Sequence, residues 1–237
     1  MRQLPALFLA LLVVACSSSR DGDEPVPGTG HAATCAAETE HEGEATYYDF
    51  ADGGGACSFE PTPDDLMVAA MNAPDYAGSA ACGSCAEVGG PDGTITVRIV
   101  DLCPECPSGN LDLSPEAFQR IAVLELGRVP ITWRYVPCTV SGALSYHFKD
   151  GSNQWWTAVQ VQNHRHAIAR FEYEKDGAFV EVPRESYNYF VEGAGMGPGP
   201  FTFRVTDVYG GTVTDSGIPL GDSTTEAGSS ALPACAP

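Results

Sequence analysis

The chain has 237 residues, of which 43% are hydrophobic and 18% are charged, so it is too apolar for a disordered protein and long enough for one or two domains. Twelve Lys and Arg against 31 Asp and Glu give a formal net charge of −19. So few cationic side chains are available to neutralise phosphates that the composition excludes nucleic-acid binding. With 26 Gly and 18 Pro but only 4 Met, the composition favours short strands and turns over a helical bundle.

The N-terminus carries an export signal. Arg2 precedes an apolar run over residues 4–15, which is short for a bilayer span but typical of a signal peptide. The run ends in V-V-A-C at Cys16, is followed by serines, and resembles a bacterial lipobox. We expect residues 1–15 to be a signal peptide and Cys16 to carry lipid that holds the protein at the cell surface. With a serine directly after the cysteine, the sequence resembles that of lipoproteins sorted to the outer membrane. The alternative is an ordinary signal peptide and a secreted protein.

The mature chain divides by composition. Residues 16–40 contain mainly Ser, Gly, Pro, Asp, Glu and Ala, which predicts a solvated tether. Residues 223–237 are again rich in Gly, Ser and Thr and are interpreted as a tail, although Cys235 suggests that its end is pinned. The rest predicts an all-β protein of two domains, 41–138 and 139–222.

Short β-rich runs separated by turn residues support the all-β prediction. They lie at residues 94–100, 131–136, 156–162, 167–173, 178–182 and 201–208. Helices are expected only at 62–71 and 114–126, the second with Ser114 as N-cap and Pro115 at the first helical position.

Nine cysteines indicate an oxidising compartment. Cys82-x2-Cys85 and Cys103-x2-Cys106 are separated by a spacing that fits a zinc site. Export favours disulfides instead, because a lipidated Cys16 leaves an even number of cysteines. We therefore expect no metal, and the sequence does not choose the pairing. The cysteines expected in disulfides are Cys35, Cys57, Cys82, Cys85, Cys103, Cys106, Cys138 and Cys235.

The most specific motif spans residues 100–118 and reads V-D-L-C-P-E-C-P-S-G-N-L-D-L-S-P-E-A-F. It resembles the T-D-L-x-P-E and G-x-L-D-L-S-P-x-A-F signature of microbial expansins, and H-E-G-E-A-T-Y-Y at 41–48 resembles their H-E-G-x-A-T-Y-T opening. Residues 149–164, 172–177 and 187–188 continue the match. The resemblance thus covers roughly residues 41–220 in order.

The resemblance implies a six-stranded double-psi β-barrel, similar to that of family-45 endoglucanases, followed by an immunoglobulin-like β-sandwich that binds cellulose. The residues that it places in a barrel groove are Thr46, Tyr48, Asp101 and Asp112. The residues that it places on a flat platform of the sandwich are Trp155, Trp156 and Tyr187, with Lys149 beside them. Cys103 replaces a groove aromatic, usually Tyr, so a sugar-stacking ring is lost there.

Some of these positions have other interpretations. Asp112 could be a second capping acid for the helix after Ser114, whose dipole would favour its carboxylate, while burial would raise its pKa; the residues alone leave this open. Asp101 could be a plain turn residue. In a regular strand Trp155 would face the core and Trp156 the solvent, whereas the resemblance places both outside. A strand that begins after Trp156, or a bulge, would reconcile the two.

Hydrolysis would need a second carboxylate as base opposite the acid. Asp112 matches the acid of family-45 enzymes, but Asp49 faces away from Thr46 by strand parity, and Asp52 belongs to a glycine-rich loop. A lytic transglycosylase of the rare lipoprotein A type needs a histidine in the barrel, where His41, at the entrance, is the only one. His164 and His166 are interpreted as surface residues rather than metal ligands.

We therefore predict non-hydrolytic loosening of plant-type cell walls by a monomer that binds cellulose and related β-glucans. On this hypothesis Asp101 and Asp112 bind hydroxyls of one glucan chain in place of its hydrogen bonds to neighbouring chains. No cofactor is expected, and the membrane is contacted through the lipid alone. The alternatives are a weak family-45 endoglucanase and a cellulose-binding surface lipoprotein without loosening activity.

Overall fold

A computed structural model describes Met1, residues 39–49 and residues 51–234. The predicted signal peptide after Met1, the lipidation site Cys16 and the cysteines Cys35 and Cys235 lie outside the described residues. Among the residues that are described, no helix combines the length and the apolar character needed to cross a bilayer.

The first half of the chain closes into a barrel, as predicted. Its strands run around the barrel in the order β1-β5-β2-β4-β3-β6. β1 is parallel to β5 and β2 is parallel to β4, while the other neighbours are antiparallel. The six strands are β1 (His41–Tyr47), β2 (Val68–Asn72), β3 (Cys85–Gly90), β4 (Gly93–Cys103), β5 (Leu111–Leu113) and β6 (Val129–Val136).

The connection from β4 to β5 crosses β1 at very close range. A Cβ atom on Gly43 would lie 2.2 Å from the carbonyl oxygen of Gly109, which itself has a φ of +83°. Only glycine allows two backbones to approach this closely. This contact holds the start of β5, and therefore Asp112, against β1.

Of the two predicted helices, the one at 114–126 is much shorter than expected and the one at 62–71 is absent. α1 (Ala73–Tyr76) and α2 (Pro115–Phe118) are single turns. The Ser114 hydroxyl accepts the amide of Ala117 at 3.0 Å, as an N-cap does. The predicted helix at 62–71 was wrong: its second half is strand β2, whose five residues are all buried between β5 and β4. A strand buried on both faces has no alternating pattern, so its apolar run was mistaken for a helix.

The second half is a sandwich of two four-stranded sheets, ordered β10-β9-β12-β13 and β11-β8-β7-β14. Aromatic rings from both sheets fill the space between them: Phe203 lies 4.9 Å from Phe171 and 5.0 Å from Tyr146, measured between ring centroids. This is the predicted β-sandwich. The strands are β7 (Ser145–Phe148), β8 (Thr157–Gln162), β9 (Ile168–Lys175), β10 (Ala178–Glu181), β11 (Phe190–Glu192), β12 (Phe201–Asp207), β13 (Thr212–Ile218) and β14 (Thr225–Ala227).

The stretch after residue 222 is not the tail that its composition predicted. β14 pairs with β7, and Leu232 is buried in the sandwich core. The buried carboxylate of Asp215 accepts the amide and hydroxyl of Ser229 at 2.9 and 2.7 Å, and the hydroxyl of Tyr146 at 2.8 Å. Backbone pairing and one buried acid thus hold a segment that is poor in apolar residues.

Three disulfides are present among the described residues: Cys57–Cys82, Cys85–Cys138 and Cys103–Cys106. The expected disulfide framework is confirmed for these six cysteines. Cys82 and Cys85, which suggested one end of a zinc site, are bonded to different partners. The cross-links lie within the barrel and at its junction with the sandwich.

Buried polar contacts join the two β domains. The Cys57 carbonyl accepts the side-chain amides of Gln160 at 2.9 Å and Asn188 at 3.1 Å. On the sandwich side, Arg184 donates to the carbonyl of Ser79 at 3.2 Å and lies 4.6 Å from the ring centroid of Phe190. Burial lowers the pKa of Arg184 to about 10. The described part of both domains belongs to one compact unit, so the two are held in a fixed orientation.

His164 and His166 are both buried at this junction, so the prediction of a surface pair was wrong. The Nδ1 atom of His164 hydrogen bonds the carbonyl of His166 at 2.8 Å. A Cβ atom on Gly83 of the barrel would lie 2.5 Å from the Nε2 atom of His164. The two residues follow the barrel–sandwich connection, and packing of the domains covers them, which no local pattern shows.

We expect His164 to make stability depend on pH. Burial lowers its pKa from 6.5 to about 4, and the charges of Arg184, Arg98 and His166 act in the same direction. The unfolded chain therefore binds one more proton between these values. Stability that is present above pH 6.5 is lost as the pH falls toward 4, by about 3 kcal/mol.

Urea unfolding at several pH values between 7 and 4 tests this expectation. His164→Asn keeps an N–H group near the position of Nδ1 but does not titrate, so its stability should fall less over the same interval. The carboxylates titrate in both proteins, and the difference between the two curves therefore isolates His164. Identical curves would contradict the assignment.

Candidate functional site

Three groove residues lie in one row across the barrel. In the strand registers Thr46 of β1 is opposite Asp112 of β5, Asp112 is opposite Ala70 of β2, and Ala70 is opposite Asp101 of β4. Residues that are paired in this way have side chains on the same face of the sheet. The row therefore brings two carboxylates and a hydroxyl together from sequence positions that are far apart.

Asp112 is held by Thr46, whose hydroxyl donates to its carboxylate at 2.5 Å. The pKa of Asp112 is raised, mainly because burial disfavours the charged form; the hydrogen bond from Thr46 acts in the opposite direction, and the charge of Asp101 adds to the rise. Burial is therefore the main influence on this carboxyl group. Helix α2 is capped by Ser114, so the interpretation of Asp112 as a capping acid is not needed.

Asp101 is fixed by backbone amides. Its Oδ1 atom accepts the N–H groups of Ala56 at 2.7 Å and Leu102 at 2.8 Å. A Cβ atom on Gly55 would lie 2.5 Å from the carboxyl carbon of Asp101, at a φ of +146°, so glycine is needed for the loop to come this close. Asp101 is therefore more than a turn residue, because it anchors the loop between β1 and β2.

Tyr48 completes the group of sequence-predicted groove residues. It is half-buried, and its pKa is raised by burial and by the charges of Asp101 and Asp112. Its ring packs against a small cluster formed by Ala51, Val68 and Val100. The structure thus brings all four groove residues close together.

The other candidate catalytic groups lie elsewhere. Asp49 is exposed in the turn after β1, and Asp52 is exposed in a bend where its carboxylate accepts the amide of Gly54 at 2.9 Å. His41 stacks on Trp133 with ring centroids 4.0 Å apart. His41 precedes Thr46 by five residues on β1, roughly 16 Å along a strand, so it does not reach the two carboxylates.

The conflict over the tryptophans is resolved by where β8 begins. The strand starts at Thr157, and the preceding turn is closed by Asn153, whose side-chain oxygen accepts the amides of Trp155 and Trp156 at 2.9 and 3.2 Å. Strand parity therefore does not apply to either tryptophan. Trp155 is 72% exposed and Trp156 is half-buried.

Tyr187 and Lys149 are linked through a residue that sequence reasoning missed. Tyr189 lies 5.8 Å from Tyr187 between ring centroids, and the Nζ atom of Lys149 lies 5.5 Å from the centroid of Tyr189. An aromatic residue two positions after a predicted platform residue was the available signal. Tyr189 is buried, and Lys149 and Tyr187, which are both half-buried, lie against it.

The platform residues are distributed along β8. Asn188, next to Tyr187, and Gln160 of β8 donate to the same carbonyl of Cys57, so Tyr187 lies near the second half of β8, while the tryptophans directly precede its first residue. The six residues of β8 span roughly 20 Å. We define the platform as Lys149, Trp155, Trp156, Tyr187 and Tyr189, and the groove as Thr46, Tyr48, Asp101 and Asp112.

The platform and the groove are connected through two neighbouring residues. Asn188, next to Tyr187, donates its side-chain amide to the Cys57 carbonyl at 3.1 Å. Ala56, the residue before Cys57, donates its backbone amide to Asp101 at 2.7 Å. Hydrogen bonds made by residues 56 and 57 thus join the segment that carries Tyr187 to the carboxylate of Asp101.

Comparisons with known proteins agree with this architecture. A family model described as lytic transglycolase matches residues 68–133, which include Asp101 and Asp112 but not Thr46. Expansin-YoaJ of Bacillus subtilis is 41% identical over 188 residues, which are 78% of this chain and 81% of that protein. Expansin-like protein 2 of Dictyostelium discoideum is 36% identical over 171 residues, 67% of this chain and 42% of that protein.

Two solved structures are similar over both domains. The crystal structure of the apo expansin of Clavibacter michiganensis has a TM-score of 0.77 and 34% identity, and covers 81% of this chain and 98% of its own. An aspartate-to-asparagine variant of that expansin in complex with cellohexaose has the same TM-score, 0.77, with 33% identity and the same coverage of 81% and 98%.

Proposed function

The chain belongs to the expansin family, and from this membership we propose that it loosens plant-type cell walls without hydrolysis. It binds cellulose or a related β-glucan and separates the bound chain from its neighbours by competing for their non-covalent contacts. The observation that carries this proposal is the hydrogen-bonded connection, through residues 56 and 57, between the groove and the platform with its exposed Trp155.

The platform supplies the binding. An exposed tryptophan such as Trp155 is unfavourable in water unless a partner covers it, and flat rings match the apolar faces of glucose units. Along β8 the platform is long enough for several glucose units. Lys149 beside Tyr189 adds a donor for sugar hydroxyls.

The groove supplies the disruption. The carboxylates of Asp101 and Asp112 and the hydroxyl of Thr46 form hydrogen bonds with sugar hydroxyls that would otherwise bind a neighbouring chain, and the half-buried ring of Tyr48 lines the groove beside them. Hydrogen bonds to charged groups are stronger than those between neutral groups. The sugar hydroxyls therefore bind the carboxylates in preference to the neighbouring glucan chain. No covalent bond has to break.

Hydrolysis is disfavoured by the state of the other acids. Asp49 and Asp52, the acids considered as a base, are exposed in turns outside the row of Thr46 and Asp112. An inverting enzyme needs a free carboxylate that activates water on the far side of the sugar. These acids do not supply it.

As an expansin the protein acts outside the cell. We further propose that Cys16 carries lipid, that the tether of residues 16–40 lets the domains reach their substrate, and that a bacterial outer membrane holds the anchor. We propose a monomer, since the platform and the groove are complete within one chain. The lipobox-like sequence at Cys16 supports the anchor.

Incubation of the full chain with cellulose paper tests the proposed function. We expect the paper to lose tensile strength while no soluble reducing ends appear, because only non-covalent contacts are exchanged. Release of reducing sugar that disappears in Asp112→Asn would instead indicate an endoglucanase. Binding without any change in paper strength would favour a cellulose-binding lipoprotein.

A further inference from the structure

The Cys103–Cys106 disulfide differs from the other two described disulfides. Those two are buried, with each of their cysteines at 9% exposure or less, whereas Cys103 and Cys106 are partly exposed. The buried pairs span 25 and 53 residues, and Cys103–Cys106 spans only 3. The stabilising effect of a cross-link grows with the length of the loop that it closes. This disulfide therefore matters least for folding and is the most accessible to a reductant.

Its position relates it to the groove. Strand β4 carries Asp101 and ends at Cys103, and the connection that follows leads to β5 with Asp112. Side chains alternate along a strand, and Leu102 packs against the barrel core, so Cys103 shares the face of Asp101. The disulfide therefore borders the groove beside Asp101.

The far end of the same connection is fixed without the disulfide. Gly109 donates its amide to Asp75 at 3.1 Å, and its carbonyl accepts the indole N–H of Trp133 at 2.7 Å. The side-chain oxygen of Asn110 accepts the amide of Glu44 at 2.9 Å. Opening the disulfide would therefore release only residues 104–108 and leave β5 and its carboxylate in place.

We propose that Cys103–Cys106 is a thiol–disulfide exchange site that sets the glucan affinity of the groove. In the oxidised form the two sulfur atoms are a fixed, polarisable wall beside Asp101 against which a sugar ring packs. A dithiol reductant transfers two electrons and two protons: the S–S bond breaks, Cys103 and Cys106 become thiols, and the reductant is released as a disulfide. The wall then opens, and the sugar loses this contact.

Graded reduction of the full chain with dithiothreitol tests the exchange site. After alkylation, mass spectrometry should find Cys103 and Cys106 labelled at reductant concentrations about tenfold below those that label the buried pairs, since exposure controls attack on a disulfide. The circular dichroism spectrum should not change at this point. Labelling of a buried pair first would overturn the proposal.

Affinity for cellohexaose, measured by calorimetry, tests the consequence, which rests on the proposed binding of glucan by the groove. We expect affinity to fall about fivefold on selective reduction, which corresponds to the loss of one packing contact. The double variant Cys103→Ser, Cys106→Ser should bind like the reduced protein and should not respond to dithiothreitol.

The outcomes separate the two proposals. Equal affinity before and after selective reduction would overturn the control of the groove by the disulfide while leaving the proposed function intact. If the oxidised protein did not bind cellohexaose, the proposed function and the control of affinity would both be wrong, and the order of labelling would still decide whether Cys103–Cys106 exchanges.

Discussion

Replacement of Asp112 by asparagine should reduce the weakening of cellulose paper by about tenfold or more while leaving cellulose binding nearly unchanged. The amide keeps the shape of the side chain and can still accept the hydroxyl of Thr46, which donates at 2.5 Å in the native protein. It loses the negative charge and one acceptor oxygen, and these are what compete for sugar hydroxyls in the groove. Binding persists because the platform is untouched.

The matched control is Asp49→Asn, which makes the same chemical change in an exposed turn outside the groove. This variant should weaken paper as the native protein does. The measurement is the loss of tensile strength at equal amounts of bound protein. Native activity in Asp112→Asn would show that the assignment of the groove is wrong.

The double variant Trp155→Ala, Trp156→Ala should lose affinity for crystalline cellulose by about 100-fold. Trp155 is 72% exposed, so its indole is free to cover a glucose ring and its removal leaves no cavity. The turn that presents both side chains is closed by the side chain of Asn153 and the backbone, so the substitutions preserve it. The barrel should fold as before.

Binding isotherms on crystalline cellulose measure the effect. Leu126→Ala is the control, because it removes an apolar side chain that is 57% exposed on the barrel, away from the platform. The control should bind as tightly as the native protein. A double variant that is retained on cellulose as strongly as the control would refute the platform.

The strand pattern and the motifs of this chain were readable from the sequence because they are local. The runs at 131–136 and 201–208 alternate in a way that only a strand satisfies, and both are strands β6 and β12. The resemblance of the motifs to those of expansins placed Thr46, Asp101 and Asp112 among the candidate residues. The N-cap at Ser114 was equally local, since a cap depends only on the next few residues.

Other features depended on which strands are neighbours. The apolar run at 62–71 was mistaken for a helix because a strand buried on both faces lacks the alternating signal. The final strand β14 was missed because it is held by backbone pairing with β7. Backbone pairing does not require apolar side chains, so a polar composition gives no sign of it. The pKa of Asp112 could be argued either way until burial was known.

The sequence by itself determined an all-β protein of two domains that carries the motifs of an expansin, since residue type, period and motif order are properties of the chain. The tertiary structure alone decided the pairing of the six described cysteines and the burial of His164. It also decided that Cys57 contacts the sandwich and that its neighbour Ala56 contacts the groove. These depend on distances in space. Such distances are set when the barrel closes and the sandwich packs against it.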